Sequence, residues 1–427
     1  MKTKLMIVYL DNASTTKPSE AAIAASLDAF TVNYGNPSSA HAMGQDAERI
    51  VKKARLAVAA SMGARPEQIV FTGGGTEANN LAVHTAFGAG DRARSGVIFT
   101  SPVEHPSVKA PIARLAELAS LATLAANVVV LPADGRGFVE SAALERAMDD
   151  VFRRDGQGGA KRAFVSVMHV NNEIGTIQPV AEMARAKARF AEKTGAEIVF
   201  HTDAVQSYLK LPIDVTRADG DGGFGGVDLL SCCAHKLHGP KGVGALYALR
   251  PEKVAPDMLG GGQERGLRSG TENVPGIAGF GAAVADGAAV GLAERVASLR
   301  ARLLRHIEDA IPDVRVNSPA EASVTGEPGL CSPYILNVSF LGTRGEVILH
   351  DLEQSGVYVS TGSACSNIGK GAKRMNHVLA AAGLTQAEAE GAIRFSFSRY
   401  NTEEEIDYAA EHVATAVKRF RKLGTFR

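Results

Sequence analysis

Short β-branched runs alternate along the chain with stretches of helical periodicity. IVF at 69–71, VIFT at 97–100, NVVVL at 127–131, AFVSVM at 163–168, EIVFHTD at 197–203 and VDLLS at 227–231 each read as a buried strand. Between them apolar residues recur at helical spacing, as Ala47, Ile50, Val51, Ala54 and Val58 do before Gly63 ends the pattern. Strands separated by helices predict an α/β fold with a largely parallel sheet covered on both faces. After about residue 265 the texture changes to a long Ala/Leu/Arg helix near 281–310, then strands in ILNVSF, GVYVS and IRFSFS, then a final helix. That helix opens on the capping box Thr402-x-x-Glu405 and sets Ile406, Ala409, Val413, Val417 and Phe420 on one face. The C-terminal part reads as a second, smaller α/β domain. RRDGQGGAKR, RADGDGGFGGVD and SPAEASVTGEPG read as surface loops.

With 427 residues, 45% of them apolar, the chain can bury a substantial core in two or three domains. Lys plus Arg and Asp plus Glu number 46 each, so no net field favours nucleic acid or an anionic membrane, and small-molecule chemistry is the better expectation. The run LMIVYL stops at Asp11, short for a signal or a membrane span, which leads us to expect a cytoplasmic protein. Cys232, Cys233, Cys331 and Cys365 lack C-x-x-C spacing, which argues against a zinc site and a disulfide framework. Any cysteine function is then that of a thiol.

In SCCAHKLHGPKG (231–242), Lys236 follows a strand, where open α/β sheets place their ligand crevice. A desolvated lysine loses its proton readily and serves as nucleophile or base; a surface lysine covering apolar area with its stem fits the same letters. FTGGGTEANN (71–80) runs from a strand through glycines into a helix, a phosphate cup to which Thr76 adds a hydroxyl, or equally a tight turn with no ligand. Asp203, at the strand end in HTDAVQS, either caps the next helix or keeps the ring nitrogen of pyridoxal 5'-phosphate (PLP) protonated, with Gln206 in reach of the ring hydroxyl. His105 lies at the same edge. Cup, aspartate and lysine together are what PLP requires. Cys365 sits in VYVSTGSACSNIGKG, whose polarity predicts an exposed, mobile loop suited to a thiol that travels to a partner. Arg394, in AIRFSFSRY, can fork onto a substrate carboxylate or form an ordinary ion pair.

From YLDNASTT to RFSFSRYNTEEEID the chain resembles the PLP-dependent cysteine desulfurases, of the class V aminotransferase group of fold-type I PLP enzymes. The motifs are YGNPSSAH, FTGGGTEANN, VEH, MHVNNEIGTIQP, HTDAVQS, AHKLHGPKGVGALY, GGGQERGLRSGTEN and STGSAC. The resemblance implies a large domain over 17–265 with a mostly parallel seven-stranded sheet, and a small domain from 1–16 and 266–427 carrying the catalytic cysteine loop. It implies that Lys236 is the Schiff-base lysine, Gly75, Thr76 and His235 hold the phosphate, Asp203 the pyridinium nitrogen and Gln206 the ring hydroxyl, and that His105 stacks on the ring. Asn172 and Arg394 would bind substrate carboxylate or ring oxygen, and Thr271 would touch the phosphate of the neighbouring subunit in a homodimer. Cys365 would take sulfur from L-cysteine as a persulfide, leaving L-alanine. Its SGSAC context is similar to the group with a long catalytic loop, which implies delivery to an iron–sulfur assembly scaffold or a tRNA-thiolation relay. Two features depart from the pattern: Cys233 stands where a Ser or Thr phosphate ligand is common, and SNIGKGAKRMNH after Cys365 is longer and more basic. A selenocysteine lyase, a class V aminotransferase and an inactive PLP-fold scaffold are the rival readings; the aminotransferase needs no loop cysteine.

Overall fold

The computed structural model describes residues 6–87, 96–121, 126–154, 162–218, 222–287, 291–361 and 375–424. After strand β1 (Val8–Tyr9) and helices α1 (Glu20–Thr31) and α2 (Ala42–Ala60) comes the main sheet. Its strands are β2 (Ile69–Thr72), β3 (Gly96–Thr100), β4 (Ala126–Val130), β5 (Arg162–Ser166), β6 (Glu197–Asp203), β7 (Leu229–Cys233) and β8 (Gly244–Ala248). Helices α3 (Gly75–Phe87), α4 (Pro106–Leu121), α5 (Ser141–Arg154) and α6 (Val180–Thr194) link β2 through β6 in turn. Across the sheet the order is β2-β8-β7-β6-β5-β3-β4. Helical crossovers make neighbours parallel, whereas the short glycine turn from β7 to β8 forces an antiparallel pair, so β8 runs against both β7 and β2.

Alternate residues of these strands face opposite sides, and both sides are covered. Phe99, Val165, Phe200 and Tyr247 enter one core with α2, α6 and α7 (Val274–Gly287), while Ile98, Phe164 and Leu246 enter another with α3 and α4. Burial on both faces is why the strands read as continuous apolar runs. The parallel strands end together at one edge of the sheet, and this edge gathers residues 101–105, 167–173, 203–206 and 234–236.

A separate core joins α8 (Leu292–Ala310), β9 (Val314–Val316), β10 (Ile335–Phe340), α9 (Gly345–Gln354), β11 (Val357–Tyr358), β12 (Ala392–Ser396) and α12 (Glu403–Lys422). Between β11 and β12 lie the short α10 (His377–Ala381) and α11 (Gln386–Glu390). Strands β12, β10 and β9 form an antiparallel sheet, and β11 pairs in parallel with β1, so the N-terminal apolar run is completed by the C-terminal half.

The expected capping box of the last helix is present, with Thr402 Oγ1 accepting from Glu405 N–H. The expected single helix near 281–310 is instead two, α7 and α8. Gly291 adopts φ +79° before α8, a conformation a helix interior cannot hold. Strands β8 and β9 were not anticipated. The segment 362–374, with Cys365, lies outside the described residues, as does most of RRDGQGGAKR.

Candidate active site

Strand β7 ends at Cys233, and one 3-10 turn, Ala234–Lys236, carries the lysine over the sheet edge. Lys236 Nζ donates to the carbonyl oxygens of Ala13 and Ser14, 2.6 Å from each. Desolvation lowers its pKa from the usual lysine range; Arg394 adds to this, while Cys233, Asp11 and Asp203 oppose it. The residue is therefore no surface lysine. Gln206 Nε2 donates to the same Ala13 carbonyl at 2.8 Å, so Gln206 and Lys236 converge on one atom. Gln206 Oε1 in turn accepts from Lys210 Nζ at 3.2 Å, and burial brings Lys210 down to about 7.

Asp203 ends β6, buried, with each oxygen held. Oδ1 accepts the Val205 N–H at 2.9 Å and so holds the turn after β6, where no helix follows among the described residues and the expected capping role therefore falls away; Oδ2 accepts from Asn79 Nδ2 at 2.7 Å. The same Asn79 amide donates to Ser107 Oγ at 2.8 Å, and Ser107 Oγ lies 2.7 Å from His105 Nδ1. Burial lowers the His105 pKa; the charges of Asp203 and Glu173 oppose this and that of Lys236 adds to it, which places His105 in the same field as the lysine and the aspartate.

The glycine turn after β2 leads into α3, whose leading N–H groups have no intrahelical partners. The turn is held tightly: Thr72 Oγ1 donates to the Gly74 carbonyl and Glu77 Oε2 accepts the Gly73 N–H. A Cβ at Gly75 would meet Val205 at 2.7 Å, and one at Gly244 would meet the Gly74 backbone at 2.7 Å, so only glycine allows this close approach. Cys233 is fully buried beside Gly75, its thiol pushed up to about 11 by burial, so it sits there as a neutral SH. His235 holds its ring 3.3 Å from Thr15 Oγ1, and burial with the nearby lysines brings it down to about 4.

Arg394, on β12, is buried and forks across four groups. One amine donates to the Asn172 carbonyl at 2.8 Å and reaches Glu173 at 3.4 Å; the other reaches Asp11 at 3.1 Å and Ser14 Oγ at 2.8 Å. Asn172 Nδ2 shares Glu173 Oε1 at 3.1 Å. Among the described residues, Thr271 is the predicted one that stands apart. It is exposed, on a loop tethered to the cup by the Arg268–Glu77 ion pair at 2.8 Å. Asn79, Ser107, Glu77, Asp11 and Glu173 were missed in the sequence. The signal for Asn79 was a polar residue among Ala78, Leu81, Ala82 and Val83, all buried.

These groups fit PLP on their own chemistry: a glycine turn at a helix start, packed too closely for a Cβ at Gly75, a carboxylate held by donors at the sheet edge, a neutral histidine, and a desolvated lysine. The chain belongs to the class-V aminotransferases, the family model described as Aminotransferase class-V matching residues 8–409. Within that family it is 36% identical over 424 residues to a protein named cysteine desulfurase IscS from Dictyoglomus turgidum, covering 98% of this chain and 97% of that one. Among solved structures a NifS-like protein matches with a TM-score of 0.80 at 34% identity, over 97% of this chain and 100% of the other. A structure described as SspA in complex with cysteine matches with a TM-score of 0.71 at 30% identity, over 92% of this chain and 100% of that one. The fold-type I architecture and the dependence on PLP expected from the motifs accordingly stand.

Proposed function

We propose that this site converts L-cysteine to L-alanine and holds the sulfur as a persulfide on Cys365 before it passes to an acceptor. The chain is a PLP-dependent cysteine desulfurase. One observation supports Cys365 as its thiol: the chain leaves for that cysteine and returns from it at the site itself. It departs at Thr361, next to Ser360, which is bridged to Arg394, and it re-enters at His377, whose Nε2–H donates to the Glu104 carbonyl at 2.8 Å, beside His105.

Gly75, Thr76 and His235 are the groups for the phosphate, with Cys233 beside them. Asp203 serves the ring nitrogen, Gln206 the ring oxygen, His105 the ring face, and Lys236 the covalent link. Bound PLP supplies an electron sink for charge developing on the substrate carbon. Arg394, helped by Asn172, fixes the substrate carboxylate by exchanging an internal partner for it. The Lys236 amine, its proton affinity already lowered, takes the Cα proton. The Cys365 thiolate attacks the substrate sulfur; the S–S bond forms as the C–S bond breaks, and that bond's electron pair stays with the carbon skeleton, which takes up a proton and leaves as alanine. One cysteine and one thiol thus become one alanine and one persulfide, with no outside oxidant.

The active unit is read as a homodimer. Helix α1 turns Leu27 and Phe30 outward, 57% and 67% exposed, and Leu259, 82% exposed, flanks the Thr271 loop. Such an apolar face calls for a partner surface, and a second copy would bring its Thr271 to the phosphate. The acceptor is read as an iron–sulfur assembly scaffold or a tRNA-thiolation relay.

The test is a single turnover: protein with PLP and L-cysteine, no reductant, followed by intact mass and alanine analysis. A sulfur adduct on Cys365 matched by alanine, lost in Cys365→Ala while the protein stays yellow with PLP, is the expected result. Alanine without an adduct means lyase chemistry and overturns the persulfide.

A further inference from the structure

We propose that Asn79 and Ser107 are positioning residues that lock His105 as its neutral Nε2–H tautomer and tie that ring to the Asp203 carboxylate, so that the two groups are set as one unit. The inference rests on the roles proposed for His105 and Asp203 in binding the cofactor.

The direction of every bond in the relay is determined. Asn79 is 1% exposed, and its nitrogen spends both hydrogens, one on Asp203 Oδ2 at 2.7 Å and one on Ser107 Oγ at 2.8 Å. A flipped amide would turn its oxygen on the carboxylate, so charge fixes the orientation. Ser107 Oγ accepts from Asn79 and lies 2.7 Å from His105 Nδ1; because that nitrogen already accepts a backbone N–H it carries no proton, so the hydroxyl is the donor of this bond. The Ser107 backbone N–H donates to the same nitrogen at 3.1 Å. Two donors on Nδ1 leave the ring's proton on Nε2, the only ring nitrogen then able to donate into the site. At the far end Asp203 Oδ1 is held by Val205 N–H, so the carboxylate cannot turn away from Asn79.

Packing alone does not call for this amide. Its helix neighbours Ala78, Leu81 and Ala82 are buried apolar residues, and Asn79 Oδ1 takes no hydrogen bond among the described residues. Burying an amide with its oxygen unmatched costs stability that an apolar side chain of the same size would avoid. What Asn79 contributes in return is two aimed donors, one to each half of the site.

The test is 15N NMR of the imidazole of His105, in the cofactor-free and the PLP-loaded protein. In the parent, Nδ1 should resonate as an unprotonated nitrogen and Nε2 as a protonated one. Asn79→Leu frees the Ser107 hydroxyl to turn, and Ser107→Ala removes it. Each should move both resonances toward a tautomer mixture and lower alanine production about tenfold, the loss of one directed bond to a charged network. Ser107→Thr keeps the hydroxyl and should restore the parent pattern. Unchanged His105 resonances in Ser107→Ala would overturn the proposal, and that variant decides alone should Asn79→Leu fail to fold. A parent protein that never turns yellow with PLP would defeat the site assignment instead, while the cofactor-free spectrum would still report the tautomer.

Discussion

Ser360 and Arg394 exchange backbone hydrogen bonds, Arg394 N–H donating to the Ser360 carbonyl at 2.8 Å and Ser360 N–H to the Arg394 carbonyl at 3.1 Å. The residue proposed to bind the substrate carboxylate is thus pinned to the chain five residues before Cys365 in the sequence. Arg394→Lys keeps a charge but loses the planar fork that spans Asp11, Ser14 and the Asn172 carbonyl. We expect KM for L-cysteine to rise at least tenfold, about 1.4 kcal/mol, with PLP affinity unaltered. Steady-state alanine production alongside a PLP titration checks this. An equal loss of PLP affinity would move Arg394 from substrate to cofactor binding.

Glu104 makes a pH prediction whose sign is fixed. It is fully buried, and desolvation raises its carboxyl from 4.5 to about 8, against the opposing hydrogen bonds from Ser101 and Met168. Between those two values the folded protein holds a proton at this residue that the unfolded chain has released. Its contribution therefore favours the fold below about pH 4.5 and is lost progressively as pH rises toward 8. Glu104→Gln cannot ionise, and its carbonyl oxygen can keep the Ser101 and Met168 donors, which now meet Glu104 Oε1 at 2.6 and 2.8 Å. The melting temperature of the variant should match the parent near pH 4.5 and exceed it increasingly up to pH 8. Parallel curves would show that Glu104 ionises freely in the fold.

Lys236, Asp203 and the glycine cup were legible because each carries its chemistry at a strand end, and short apolar runs bounded by glycine or polar residues mark strand ends well. The relations that tune them were not. Asn79 lies within a helix and Ser107 opens another, far apart in the chain, and no local pattern announces that they bridge Asp203 to His105. Likewise nothing near Arg394 indicates that Asp11 will face it, because that contact depends on the N-terminal strand pairing with β11 and on Asp11 meeting Ser396. The antiparallel β8 escaped notice because GALYA is short and small, and its place between β2 and β7 is set by the turn that precedes it. The division into α7 and α8 was hidden by the Ala-rich composition around Gly287 and Gly291; Gly291, just before α8, adopts φ +79°, which a helix interior cannot hold.

The outward face of α1 is open to a direct test. Leu27 and Phe30 lie a turn apart and well exposed, so charges there do not disturb the core of a single chain. Burying each against a second copy would contribute about 1.5–3 kcal/mol, enough that Leu27→Glu with Phe30→Glu should convert a dimer to a folded monomer. Sedimentation analysis gives the mass, and a PLP titration should show weaker binding as the partner's Thr271 is lost. A parent chain that sediments as a monomer would remove the homodimer, and a monomeric variant with full PLP affinity would remove Thr271 from the site.

Cys233 allows the cup itself to be improved. Its thiol is buried beside Gly75, protonated because burial pushes it up to about 11, and a thiol is a weak hydrogen-bond donor. Cys233→Ser substitutes a smaller side chain with a strong donor at the point where the phosphate would rest. A hydrogen bond to a charged acceptor is worth about 1.5–3 kcal/mol, set against the cost of burying a hydroxyl in the unliganded state. The two balance differently with and without ligand. The cofactor-free variant should melt lower than the parent, and PLP should restore more stability to it, with PLP binding tightened roughly tenfold. Differential scanning calorimetry across a PLP titration reads both numbers from one sample. A variant that loses stability without gaining affinity would show that the residue at 233 packs the strand end and leaves the phosphate to the helix and its neighbours.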